Sequence, residues 1–263
     1  MLLNGSRVLL TGASRGIGAE LARAFAAKGA SLALVARPST ALTSVASEVG
    51  GTAYPCDLSD LPALTALVEQ VEADGPIDLL VNNAGVSGVG WYLDRTTSEI
   101  DQVMTVNLLA PMRLCRLVLP GMLDRGRGHV VNLSSMAAVF SPPGLATYGA
   151  SKAGLSHFTA GLRADLRDDP ITFTTVTLGS VSTDMDDEAR TYKPLGDLAQ
   201  KSKGRDITPM PVFIKAVVEG IETDKAEVRV PAAMAPLAML TNAPRKVGRL
   251  VFRRSVAKQL RDD

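Results

Sequence analysis

Arg7-Val8-Leu9-Leu10-Thr11-Gly12-Ala13-Ser14-Arg15-Gly16-Ile17-Gly18 runs from a short apolar stretch into a turn with three glycines. As the turn ends, Ile17, Leu21, Ala24 and Phe25 take up helical spacing. Arg7–Leu10 therefore reads as a buried strand, and Gly16–Lys28 as a helix stopped by Gly29. Glycines in such a turn permit a tight bend and close approach of backbone to a ligand. The helix N-terminus offers free N–H groups and the positive end of its dipole, which suits a pyrophosphate. The spacing is Gly-x₃-Gly-x-Gly, not the commoner Gly-x-Gly-x₂-Gly. A plain strand-to-helix turn is the alternative. A strand before and a helix after favour the dinucleotide reading.

The same alternation continues outward. Ser31–Ala36, Thr52–Tyr54, Ile77–Val81, His129–Leu133, Ile171–Thr177 and Glu227–Val230 read as further strands. Thr40–Val49, Leu61–Ala73, Thr97–Asp124, Thr147–Arg167 and Met210–Glu222 read as helices, Thr97–Asp124 being one long helix bent near Pro111. Continuous apolar strands between helices predict an α/β fold: a doubly wound, seven-stranded parallel sheet with helices on both faces. Its ligand crevice lies at the carboxyl ends of the strands. Residues 1–231 are expected to form one dinucleotide-binding and catalytic domain, with 232–263 a basic and apolar C-terminal extension.

Bulk properties fit this. The 263 residues suffice for one core, with 46% hydrophobic and 21% charged residues. A net charge of +1 gives no electrostatic ground for nucleic acid. The two cysteines, Cys56 and Cys115, build no disulfide framework and fit a reducing compartment, so a cytoplasmic location is expected. No His/Cys group has metal-ligand spacing, and no metal is expected. The N-terminus lacks the basic and apolar regions of a secretory signal, and no apolar run reaches roughly 18 residues.

The second strand ends at Val35-Ala36-Arg37, with no acidic residue to bond a ribose hydroxyl. Arg37 and Arg15 instead offer cations to a 2′-phosphate, so NADP(H) is expected before NAD(H). Tyr148 and Lys152 stand four apart and share a helix face. They follow the fifth strand, whose carboxyl end carries Ser134-Ser135. Reducing a carbonyl needs a proton donor at oxygen as hydride reaches carbon. A tyrosine beside an ammonium can supply one near neutral pH, and a serine can hold the substrate oxygen. An exposed Tyr/Lys pair and strand-capping serines are the bland alternative.

At these residues the chain resembles the short-chain dehydrogenase/reductase family, over roughly residues 5 to 231. The resemblance implies a single-domain Rossmann fold. It assigns cofactor binding to Gly12, Ser14, Arg15, Gly16, Ile17 and Gly18 in the turn, and to Arg37 after the second strand. Asp57 and Leu58 fall at the adenine, and Asn83, Ala84 and Gly85 along the adenosine side. Gly179, Val181 and Thr183 fall near the nicotinamide. Tyr148 becomes the general acid or base, and Lys152 bonds the nicotinamide ribose and lowers the tyrosine pKa. Ser135, thirteen residues before Tyr148, orients the substrate oxygen and is preferred to Ser134. Asn107 positions a relay water. One departure is Leu178-Gly179 where the family usually reads Pro-Gly, which leaves that backbone less constrained.

Ser135, Met136, Val139, Tyr148 and Met185 are the expected substrate pocket, with Trp91, Tyr92 and Tyr192 nearby and Ser182–Arg205 as a lid. This apolar lining points to a lipophilic carbonyl or alcohol: a steroid, retinoid, fatty-acyl chain or aromatic ketone. A 3-oxoacyl-thioester reductase and a non-catalytic NADP-binding scaffold are the rivals. The family also implies a homodimer or homotetramer, with Thr97–Asp124 and Thr147–Arg167 as dimer faces. The extension mixes Arg245, Lys246, Arg249, Arg253, Arg254, Lys258 and Arg261 with Val247, Leu250, Val251, Phe252 and Val256. Peripheral contact with an anionic membrane, a solvated helix and a subunit contact are its alternative readings.

Overall fold

The computed structural model describes residues 2–202 and 207–232. In chain order the elements are β1 (Arg7–Thr11), α1 (Gly16–Ala27), β2 (Ser31–Ala36), α2 (Thr40–Val49), β3 (Thr52–Pro55) and α3 (Ala63–Ala73). Next come β4 (Leu79–Asn82), α4 (Thr97–Met104), α5 (Ala110–Asp124), β5 (Gly128–Ser135), α6 (Ala146–Asp165) and β6 (Ile171–Leu178). The last are β7 (Ser180–Val181), α7 (Asp184–Thr191), α8 (Lys193–Ser202), β8 (Ile207–Thr208), α9 (Met210–Glu222) and β9 (Glu227–Val230).

Seven strands form one parallel sheet in the order β3-β2-β1-β4-β5-β6-β9. The chain steps outward from β1 to β3, then returns to lay β4 beside β1. That reversal opens a crevice at the carboxyl ends of β1 and β4. Successive strand residues face opposite sides, which explains the unbroken apolar runs. Val8 and Leu10 pack with Leu21, Phe25, Leu42, Phe213 and Val217 on one face, while Leu9 packs with Leu64, Val71, Leu114 and Val118 on the other. Phe25 and Phe213 are fully buried, and burying side chains of that size contributes about 1.5–3 kcal/mol each.

The expected helix Thr97–Asp124 is one continuous helical run, with a π-turn inside it that the sequence did not announce. A capping box between Thr96 and Glu99 starts α4, which ends at Met104. One π-helical turn, Thr105–Leu109, follows before α5 begins. Pro111 sits in the first turn of α5. It has no N–H for the carbonyl four residues back, that of Asn107, and its ring crowds that carbonyl. The helix widens ahead of the proline rather than bending at it. By length and composition Thr97–Asp124 could cross a membrane, but half of its most apolar window is buried, as in a core helix.

A second departure is the two-stranded pair of β7 and β8, which brackets the expected lid. Within that lid lie α7 and α8. Of the C-terminal extension, residues 233–263 lie outside the described residues, and so do the membrane and subunit readings made for them.

Candidate active site

Hydrogen bonds lock the β1–α1 turn to the loop after β4. Thr11 Oγ1 donates to the Val81 carbonyl at 3.3 Å and accepts the N–H groups of Asn83 and Ala84, both at 3.1 Å. Asn83 Nδ2 donates back to the carbonyls of Thr11 and Gly12 at 2.9 and 3.2 Å. This closeness demands glycine. Gly12 has φ +68°, and a Cβ there would stand 2.8 Å from Ala84 Cα. A Cβ on Gly18 would collide with the Gly12 carbonyl.

Above this clamp lies a cleft of about 640 Å³. Gly12, Ser14, Arg15, Gly16, Ile17 and Gly18 line it at α1, and Arg37, Asp57 and Leu58 line it at the ends of β2 and β3. Asn83, Ala84 and Gly85 line it at β4, and Tyr148, Lys152, Thr183 and Met185 beyond. The first turn of α1 has no side-chain cap and no acidic residue. Its N–H groups are therefore available to an anion. A backbone cradle that a Cβ would fill, facing uncapped amides along a long cleft, fits a dinucleotide.

At the far end, α6 carries the chemistry-bearing pair. Lys152 is 4% exposed, and its Nζ donates to the Leu133 carbonyl at 2.8 Å. The same Nζ lies 5.9 Å from the centre of the Tyr148 ring. Burial pulls the ammonium pKa down to about 8. Desolvation pushes the pKa of the half-buried Tyr148 phenol above 10.0, a rise the Ser135 hydroxyl beside it opposes. A phenol with a raised pKa holds its proton at neutral pH, as a donor to a carbonyl oxygen must. Ser135 Oγ also accepts the Ala137 N–H at 3.1 Å, which fixes it at the end of β5.

Asn107 stands behind the cleft in the π-turn, fully buried. Its Oδ1 accepts the Val86 N–H at 2.9 Å, and its Nδ2 donates to the Val86 carbonyl at 2.9 Å and Ser151 Oγ at 3.1 Å. The amide is fully occupied. Pro111 leaves the Asn107 main-chain carbonyl without a donor four residues on.

Arg15 Nη1 pairs with Asp184 Oδ2 at 2.9 Å, at the first residue of α7, with both side chains exposed. Arg15 lines the same cleft as Arg37. Ser135 stands at the end of the cleft beside the Tyr148 phenol, and Asn107 is buried behind it. Met136 and Val181 are buried in packing. The Gly179 N–H donates to the Val230 carbonyl at 2.8 Å, so β9 restrains this backbone where no proline does. Thr183 lines the cleft and also caps α7, accepting the Asp186 N–H. Ser39, Gln102 and Val106 are among the wall residues the sequence reading did not name. Only Ser39 had a visible signal, as the serine ahead of a helix; it caps α2 by accepting the Leu42 N–H.

Residues 6–194 match the family model described as short chain dehydrogenase. The chain belongs to the short-chain dehydrogenase family. It is thus an oxidoreductase that exchanges hydride between a nicotinamide cofactor and a CH–OH or C=O group. The ketoacyl reductase HetN of a Nostoc species is 39% identical over 233 residues, 86% of this chain and 78% of that one. A fatty acyl-CoA reductase of Mycobacterium tuberculosis is 39% identical over 203 residues, 73% of this chain and 69% of that one. A short-chain dehydrogenase from Sphingobium yanoikuyae, solved with NADPH, superposes with a TM-score of 0.78 at 27% identity. It covers 95% of this chain and 97% of its own.

Proposed function

We propose that this short-chain dehydrogenase is an NADP(H)-dependent reductase of a lipophilic carbonyl, with acyl-chain substrates foremost. The observation that carries the reading is one cleft with Arg37 at its adenosine end and Tyr148, Lys152 and Ser135 grouped at the other. The 2′-phosphate falls to Arg37, whose planar fork suits phosphate and which has no competing acid beside it on β2. Relatives named for ketoacyl and fatty acyl-CoA substrates support the acyl class. They also raise the 3-oxoacyl thioester above steroids, retinoids and aromatic ketones.

A bound nicotinamide dinucleotide supplies or accepts the hydride. In reduction the Tyr148 hydroxyl gives its proton to the substrate oxygen, and in oxidation it takes one back. Ser135 donates a hydrogen bond to that same oxygen and holds it at the phenol. Lys152 places an ammonium under the tyrosine, which favours the phenolate left behind. The Asn107 carbonyl holds the water that returns a proton towards Lys152. Met185, Val86 and Val106 line the cleft with apolar surface and exclude bulk water from the reacting atoms. Leu109 and Met112, apolar and exposed on the helices expected to pair, support assembly as a homodimer or homotetramer.

The test is NADPH oxidation with 3-oxoacyl thioesters, lipophilic ketones and short polar ketones in parallel. Turnover confined to the lipophilic set, and reduced about 10²-fold or more by Tyr148→Phe, is expected. If Tyr148→Phe leaves turnover intact, or only polar ketones react, the reading fails.

A further inference from the structure

Three hydroxyls on α6 bond to their own helix and to something outside it. Ser151 Oγ donates to the Tyr148 carbonyl at 2.7 Å and accepts from Asn107 Nδ2 at 3.1 Å. Ser156 Oγ donates to the Lys152 carbonyl at 3.0 Å and meets Ser134 Oγ at 2.6 Å. Thr159 Oγ1 donates to the Leu155 carbonyl at 2.7 Å and accepts from Asn132 Nδ2 at 2.8 Å. The outside partners lie on the π-turn, on β5 and again on β5. The helix is thus fastened to the sheet layer by three polar rungs.

We propose that Ser151 is the positioning residue for Tyr148, joining the turn that carries the phenol to the buried amide of Asn107. The proposal rests on Tyr148 acting at the reacting oxygen. Ser151 is fully buried, and Asn107 has no other use for its second amide hydrogen. Through Asn107 the contact reaches both main-chain groups of Val86, next to Gly85 on the cofactor loop. A single chain of bonds therefore ties the loop after β4, the π-turn and the first turn of α6. This restraint matters because Leu145, ahead of α6, provides no side-chain cap. A first helical turn without a cap is prone to fray. A displacement of about 1 Å at a reacting group can cost about 10²-fold in rate. The π-turn contributes here as well, since it carries Asn107 to Ser151.

The experiment compares Ser151→Ala, Ser151→Thr and Thr159→Val in the full-length protein. Ser151→Ala should bind NADPH within about twofold of the native protein and lose kcat by roughly 5- to 50-fold, within the range of a misplaced reacting group. Ser151→Thr, which keeps the hydroxyl, should recover part of that loss. Thr159→Val removes a rung two turns further on and should lower Tm with kcat unchanged. Tyrosine ionisation, followed by ultraviolet difference titration with Tyr148→Phe as the blank, reads the phenol without turnover. In Ser151→Ala the Tyr148 titration should move down towards the ordinary tyrosine value as water gains access. An unmoved titration, or a kcat kept within twofold, overturns the proposal. Equal loss of kcat in Thr159→Val also overturns it, because the effect is then general loosening of α6. A moved titration in a protein that turns over no carbonyl supports the positioning and removes the reductase reading instead.

Discussion

Replacing Lys152 by methionine should make the protein more stable at pH 7 while abolishing its activity. The ammonium is held at 4% exposure, and burial brings its pKa from 10.5 to about 8. That displacement corresponds to about 3 kcal/mol of cost for keeping the charge inside. Methionine has a similar reach and no charge, so it removes the cost. It also forfeits the bond from Nζ to the Leu133 carbonyl, whose net worth is about 1–2 kcal/mol. The balance favours the variant by about 1–2 kcal/mol, a Tm rise of roughly 2–8 °C for a chain of this size. The pH dependence gives a sharper signature. The folded state loses this proton before the unfolded chain does, so native stability climbs between pH 8 and 10.5. That contribution is complete above 10.5 and gone below about 8. The variant lacks the climb, so its advantage at pH 7 should shrink by pH 9.5. Calorimetric melting at the two pH values measures both numbers. A variant that melts below the native protein at pH 7, or a gap unchanged by pH, would refute the reasoning.

Two further outcomes follow from the site's surroundings. His129 is fully buried on β5, with Nε2 2.8 Å from Thr174 Oγ1, and burial lowers its pKa from 6.5 to about 4. The unfolded chain takes up this proton first, so stability should fall by up to about 3 kcal/mol as pH drops from 6.5 to 4. Urea midpoints at pH 7 and 4.5 should show that drop in the native protein and a smaller one in His129→Gln; equal drops would assign it elsewhere. Arg15→Ala and Asp184→Asn break an exposed ion pair, so each should weaken NADPH and NADH alike, by no more than about threefold. A selective loss of NADPH in Arg15→Ala would instead place Arg15 at the 2′-phosphate beside Arg37.

The sheet was legible in the sequence because buried parallel strands are continuous apolar runs punctuated by glycine, as at Val8–Leu10 before Gly12. Tyr148 and Lys152 were legible because helical spacing alone puts them on one face. The π-turn was not, since one extra residue in Thr105–Leu109 leaves the apolar pattern of Thr97–Asp124 unbroken. Pro111 marked the place within a turn but not the form. Arg15 and Asp184 are 169 positions apart, and no local pattern announces such a pairing. The burial of Met136 was not legible, because apolar loop residues and packed ones share a composition. Ser134 and Ser135 alternate across the pleat of β5; the family's interval to Tyr148 favoured Ser135, and the structure adds that the Ser134 hydroxyl bonds to α6 while that of Ser135 stands beside Tyr148.

The central claim is an NADP(H)-dependent oxidoreductase with its phosphate contact at Arg37. Titration of the purified protein with NADPH and with NADH, followed by nicotinamide fluorescence and repeated with Arg37→Ala, tests it most directly. The expected result is NADPH bound at least tenfold more tightly than NADH, about 1.4 kcal/mol, with the difference abolished by Arg37→Ala. Equal or tighter binding of NADH by the native protein, or binding of neither, would contradict it.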